Sequence, residues 1–104
     1  MDVIKFLDQL NKNDLTVRVI AQQLLRSATS IGANIIEAQA SSSKKEFTNF
    51  LNHSLKSANE SKFWLALLRD SGKAKKDSAD RLLTETKELA NILASSILTL
   101  KGKR

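Results

Sequence analysis

Residues 26–38 read RSATSIGANIIEA. Ala28, Ile31, Ile35 and Ala38 follow one another at steps of 3, 4 and 3, which puts them on one stripe of an α-helix. Arg26, Ser30, Asn34 and Glu37, at steps of 4, 4 and 3, form a second, polar stripe. Ser27, Gly32 and Ala33 keep the surroundings small, so another helix can approach closely. A mid-helix glycine costs about 1 kcal/mol against alanine, and close packing would be a reason for Gly32. The segment therefore predicts the middle of a long, tightly packed helix.

The apolar stripe extends upstream through Val17, Ile20 and Leu24, giving a helix over residues 14–40 that Asn13 or Asp14 can cap. Ser41, Ser42 and Ser43 interrupt it. Ser43-Lys44-Lys45-Glu46 is a capping box, in which the serine hydroxyl and the glutamate carboxylate each accept from the other residue's amide. It opens a third helix carrying Phe47, Phe50, Leu51, Leu55, Ala58, Leu65 and Leu68, which Ser71-Gly72 can stop. Residues 73–77, KAKKD, read as a charged loop, and Asp77 or Ser78 as the cap of a fourth helix. That helix buries Leu82, Leu89, Ile92, Leu93, Ser96, Ile97 and Leu100. Upstream, Val3, Ile4, Phe6, Leu7 and Leu10 give a short helix over residues 2–11.

No strand pattern interrupts these periods. The fold class is all-α: an antiparallel up-down-up-down four-helix bundle with a short first helix, in one domain over residues 1–104. The first helix is too short to cover the bundle seam, so apolar surface on the long helices is left for a neighbouring subunit. Ser54, Ser57, Ala58, Ser61 and Glu60 in the third helix match the small polar stripe of the second. Face-to-face packing would set Arg26 between carboxylates and bond Asn34 across the interface. A buried polar group without a partner costs about 1–3 kcal/mol, so Arg26, Ser30, Asn34, Glu37, Ser57 and Glu60 should form one connected structural seam. Buried polar groups of this kind set helix register in some coiled coils. Catalytic or metal-binding use of Glu37 and Glu60 is the lesser reading.

Composition narrows the function classes. There is no cysteine and no proline, and glycine occurs 3 times. Disulfides, thiolate catalysis and zinc-thiolate sites are excluded, and the helices lack their usual breakers. His53 is the sole histidine and no Glu precedes it by three residues, so a di-iron bundle site is excluded. A lone histidine makes no zinc site, and His53 reads as a surface or interface residue. Phosphate loops and nucleophile motifs are absent. No enzymatic activity, metal or cofactor is expected. No apolar run reaches membrane-spanning length, and MDVIKFLDQL lacks the features of a signal peptide, so a cytoplasmic location is expected.

The segments QLLRSATSIGANIIEA and KKEFTNFLNHSLKSANESKFWLALL resemble the bacterial four-helix-bundle proteins of 23S ribosomal RNA intervening sequences. The resemblance lies in Arg26, Ser30, Ile31, Gly32, Ala33, Asn34 and Glu37, then Lys45, Glu46 and Phe47, then Ser57 and Glu60. Two positions depart from the family pattern: Gly32 stands where many members have proline, and Ala38 where many have glycine. The resemblance implies an antiparallel four-helix bundle and a homo-oligomer, several members being homopentamers. The related accessory variability determinant of diversity-generating retroelements has a basic surface and binds nucleic acid and a reverse transcriptase.

A basic half can attract an anionic partner, while a solvated basic surface that aids solubility is the plainer reading of charge alone. The chain carries +6, with +1 on residues 1–52 and +5 on residues 53–104. The candidate nucleic-acid-binding residues are Lys73, Lys75, Lys76 and Arg81, together with Lys44, Lys45, Lys101, Lys103 and Arg104. An antiparallel bundle would put the chain end near Lys44 and Lys45, giving two basic rims at opposite ends. RNA, DNA or a nucleic-acid-binding protein are the partners expected. The alternative is a protein-interaction or scaffold module with incidental charge. Phe63 and Trp64, beside Lys62, can stack on a base, but core or subunit-interface contacts are the better reading of large aromatics.

Overall fold

The computed structural model describes residues 2–102. It has four helices in chain order: α1 (Val3–Asp8), α2 (Leu15–Gln39), α3 (Lys44–Asp70) and α4 (Lys76–Leu100). Each of the first three begins where a side-chain oxygen accepts an otherwise unpartnered amide. Asp2 caps through the Lys5 amide, Asp14 through Val17 and Ser43 through Glu46. The capping box is half formed: Glu46 takes the hydroxyl of Ser42 at 3.1 Å rather than reaching Ser43.

α4 departs from the sequence expectation at its start. Neither Asp77 nor Ser78 caps it. The helix begins at Lys76, and Lys75, in extended conformation, contributes only its carbonyl, which accepts from Ala79 at 3.0 Å. Asp77 falls in the first turn, where a carboxylate suits the helix dipole. α1 is shorter than its apolar pattern, ending at Asp8, although Leu10 beyond it is buried.

The stop after α3 is a Schellman motif. Lys73 N–H reaches Leu68 C=O at 3.0 Å and Gly72 N–H reaches Arg69 C=O at 3.1 Å, with Gly72 at φ +74°. The loop it starts is tied back to the head of α2, because Lys73 Nζ lies 2.6 Å from Asp14 Oδ2. Asp14 thus caps α2 with one oxygen and holds the α3–α4 loop with the other.

α3 is the central helix, packed on α2 along one flank and on α4 along the other. The core runs the length of the bundle but changes character. At one end α1 supplies Val3, Phe6 and Leu7, which with Leu10 pack against Val17, Ile20, Leu24, Leu65, Leu68 and Leu82. In the other half Ile31, Ala38, Leu51, Ala58, Leu93 and Ile97 form the core without α1. Ile35, Phe47, Phe50, Leu55, Leu89 and Leu100 are only half-buried there. Three of the apolar-face assignments fail. Ile4 is exposed on α1, and Ile92 and Ser96 are exposed on α4. Ser78, Arg81 and Glu85 mark the flank of α4 that faces α1. Ile92 and Ser96 continue that flank at helical spacing, past the end of α1, where no helix covers them.

Candidate functional site

The α2–α3 interface is where the small residues meet. Its centre is three serines with no exposed surface: Ser27, Ser54 and Ser61. Ser27 Oγ and Ser61 Oγ are 2.9 Å apart, and Ser61 also donates to the Ser57 carbonyl at 2.9 Å. Ser54 donates across the interface to the Ile31 carbonyl at 2.9 Å. Ala58, equally buried, leaves room for the approach. Among the described residues no buried side-chain nitrogen or oxygen lacks a partner.

The polar stripe read from the sequence lies on the flank of this interface rather than at its centre. Arg26 pairs with Glu60, whose Oε2 also accepts from Trp64 Nε1 at 3.2 Å. Ser57 donates to Ser30 Oγ at 3.0 Å. Three expectations need correction, the first being that Arg26 lies between carboxylates: among the described residues it pairs with Glu60 alone and otherwise donates to Gln23 Oε1. Asn34 bonds within its own helix, to the carbonyl and hydroxyl of Ser30 at 2.8 and 3.0 Å, and not across the interface. Glu37 is exposed and outside the seam. The pairs Arg26–Glu60 and Ser30–Ser57 fix the register, so Glu37 stands opposite residues 49–50. That is about 16 Å along α3 from Glu60 at 1.5 Å per residue, so the two carboxylates cannot share a metal or a substrate. Among the described residues no three His, Cys, Asp or Glu side chains come together as a metal site.

Gly32 is likewise not a packing glycine. It is exposed, and a Cβ built on it would meet nothing within 4 Å. His53 is exposed on α3. Trp64 packs against the core and Phe63 stands 58 % exposed, its ring 4.8 Å from that of Trp64 in an edge-on arrangement.

The candidate basic residues divide by what surrounds them. Lys73 is held by Asp14 and Lys76 by Asp80, which also takes Arg69 Nη1 at 2.8 Å. The Lys73 ammonium, followed by the Val17 amide, holds the Asp14 carboxyl below the usual range, and Lys76, followed by Arg69, does the same to Asp80. Much of the loop rim is thus neutralised internally. Lys75 is exposed, and Arg81 lines the α1–α4 groove beside Lys5 and Glu85. At the opposite end Lys44, Lys45 and Lys101 are all exposed. The ion pairs of the described residues involve none of Lys44, Lys45, Lys75, Arg81 and Lys101. Lys103 and Arg104 lie outside the described residues.

Apolar surface is the second feature. Leu15, Val19, Leu25 and Ile36 are exposed on α2, Phe63 and Leu67 on α3, and Ile92 on α4. A groove of 440 Å³ lined by Phe47, Leu51, Leu93, Ser96 and Leu100 opens in the half of the bundle beyond α1. No helix among the described residues is long and apolar enough to cross a membrane.

The family of 23S rRNA-intervening sequence proteins matches residues 1–95. Among solved structures, the chain is similar to a protein of unknown function from the S23 ribosomal protein family of Bacteroides thetaiotaomicron. The two are 40 % identical with a TM-score of 0.73, over 76 % of this chain and 70 % of that one. A comparison with curated proteins found no match.

Proposed function

We propose that this chain, which belongs to the family of 23S rRNA-intervening sequence proteins, is a non-enzymatic, cytoplasmic, oligomeric bundle that binds nucleic acid or a ribonucleoprotein through its basic surfaces. One observation carries the reading. Lys44 and Lys45 occupy the first turn of α3, and Lys75 the N-cap of α4, all three outside the ion pairs of the described residues. These are the positive ends of the helix dipoles, where a cation is unfavourable by about 0.3–1 kcal/mol. Helix stability does not account for lysines there, whereas the need to meet an anion does. Binding of labelled RNA and DNA, titrated against salt, tests it: affinity falls steeply as salt rises because phosphate contacts release counterions. Absence of binding even at low ionic strength refutes it.

Assembly is supported by a different observation. α1 leaves half of the bundle without a fourth helix, and Ile36 and Ile92, 66 % and 62 % exposed, stand on the helices beside that opening. A second copy of the chain is the simplest cover, and a homopentamer is the form we propose. Sedimentation equilibrium should give a mass about five times 11.5 kDa, and Ile36→Asp with Ile92→Asp should shift it toward the monomer. A wild-type monomer at micromolar concentration overturns this part. Should nucleic acid fail to bind while the assembly persists, the chain is a protein-interaction scaffold.

A further inference from the structure

The positive charge is not spread evenly around the bundle, nor is it confined to the two rims. On α3, Lys44, Lys62 and Arg69 are separated by 18 and 7 residues, about five and two turns at 3.6 residues per turn. On α4 and its C-cap, Lys76, Lys87 and Lys101 are separated by 11 and 14 residues, about three and four turns. Each set therefore keeps to one side of its helix. Lys62, Arg69 and Lys87 line one recess between α3 and α4, so the two sides are the same outer groove.

This face has six cations and two carboxylates, Asp70 and Asp80, or +4 of the chain's +6. The remainder of the chain, with eleven basic and nine acidic residues, carries +2. Asp80 and its neighbour Asp70 are spent on Arg69 and Lys76, at 2.7–2.8 Å. Lys62 and Lys87 take part in none of the ion pairs of the described residues, although both border one recess of 280 Å³. Two ammonium groups on one recess repel each other, and an anion between them removes the repulsion. Between the cations the groove carries Asn52, Asn59 and Asn91 at helical spacing. Such side chains donate to phosphate and sugar oxygens.

We infer that a nucleic-acid backbone lies lengthwise in the outer α3–α4 groove, on Lys62 and Lys87, and runs to the Lys44 and Lys101 end. The inference rests on the nucleic-acid reading above and assigns that reading a path. From Lys44 to Lys62 the path is about 27 Å at 1.5 Å per residue, room for several successive phosphates. The loop rim at Lys73 and Lys76 contributes little, because its cations already have carboxylates. Sequence reasoning overlooked Lys62 and Lys87 as a pair because 25 residues and a helical turn-around separate them.

The test is fluorescence anisotropy with single-stranded and duplex RNA and DNA of about 20 nucleotides, across a salt series. Lys62→Gln with Lys87→Gln should weaken binding about tenfold at low salt and lower the log–log salt slope by nearly two, one for each lost phosphate contact. Lys62→Arg with Lys87→Arg should bind as the wild type does, and Lys5→Gln with Lys12→Gln on the α1 side should leave affinity and slope unchanged. Circular dichroism confirms that each variant is folded. The inference is overturned if the wild type binds but the double glutamine variant stays within twofold with the same slope. It is also overturned if polyglutamate of equal charge competes as well as the oligonucleotide, which would mark the groove as a site for acidic protein. Failure of the wild type to bind any oligonucleotide removes the underlying reading, an outcome distinct from both.

Discussion

The serine pair at the centre of the α2–α3 interface makes a quantitative test of how the bundle is held in register. Ser27 and Ser61 are wholly buried and 2.9 Å apart, and each has a second outlet within its own helix. Ser61 donates to the Ser57 carbonyl at 2.9 Å, and Ser27 reaches the Leu24 carbonyl at 3.2 Å. Replacing Ser27 with alanine therefore leaves no orphaned hydroxyl. The loss is one neutral hydrogen bond, about 1 kcal/mol, rather than the larger penalty of an unpaired buried group. The same holds for Ser61→Ala. Because both single variants delete the same bond, Ser27→Ala with Ser61→Ala should cost little more than either alone, with a coupling of about 0.5–1 kcal/mol. Urea unfolding followed by far-ultraviolet circular dichroism at fixed protein concentration should show each single variant shifted down by roughly 0.5–1 M with an unchanged slope. Costs above 3 kcal/mol for the single variants, or a double variant equal to their sum, would refute the reasoning.

The glycines give opposite signs. Gly32→Ala should raise stability by about 0.5–1 kcal/mol, since the position is helical with open space around it. Gly72→Ala should lower it by about 1 kcal/mol, since Gly72 sits at φ +74°. Thermal melts of both variants check this, and a fall for Gly32→Ala in the dissociated chain counts against it. Acid sensitivity follows from Asp14 and Asp80, both held below the ordinary carboxylate range by the lysines they bond. With folded values below unfolded ones, their contribution is whole above about pH 4 and is lost as pH falls through the folded values. Asp14→Asn, which keeps a capping oxygen, and Asp80→Asn should each flatten the fall of melting temperature with acid. Profiles that overlay the wild type's would contradict the assignment.

The helices were legible because their apolar stripes keep one period over many turns, and because Asp14, Ser43 and Gly72 have side chains or backbones suited to their ends. The start of α4 was not legible, because the residue that fills the cap, Lys75, contributes only its carbonyl. The seam was half legible. Helical spacing identifies residues that share a face but not which face points straight at the neighbour, so Ser27 reads only as a small neighbour of Arg26 and Ser30, and Glu37 is grouped with them. Thr86, wholly buried, was missed because its hydroxyl is absorbed by the Leu82 carbonyl one turn back, at 2.6 Å. Ile92 and Ser96 were misplaced for a different reason: their stripe matches the core, but the helix that would cover them stops lower down.

The order of packing along the chain also bears on how the molecule forms. α2 meets α3 and α3 meets α4, each pair joined by a short turn, so nearly all of the core is closed by sequence neighbours and folding should be rapid. α1 is the exception. It lies against both α2 and α4, which puts one of its partners last in the order of synthesis. The α2–α3 hairpin can close its serine seam while Phe6 and Leu7 still wait for Leu82. α1 is therefore the latch of the fold: the last element to dock, and by the same token the first to open, so the amides of Val3–Asp8 should lead hydrogen exchange while those around Ser54 and Leu65 trail it.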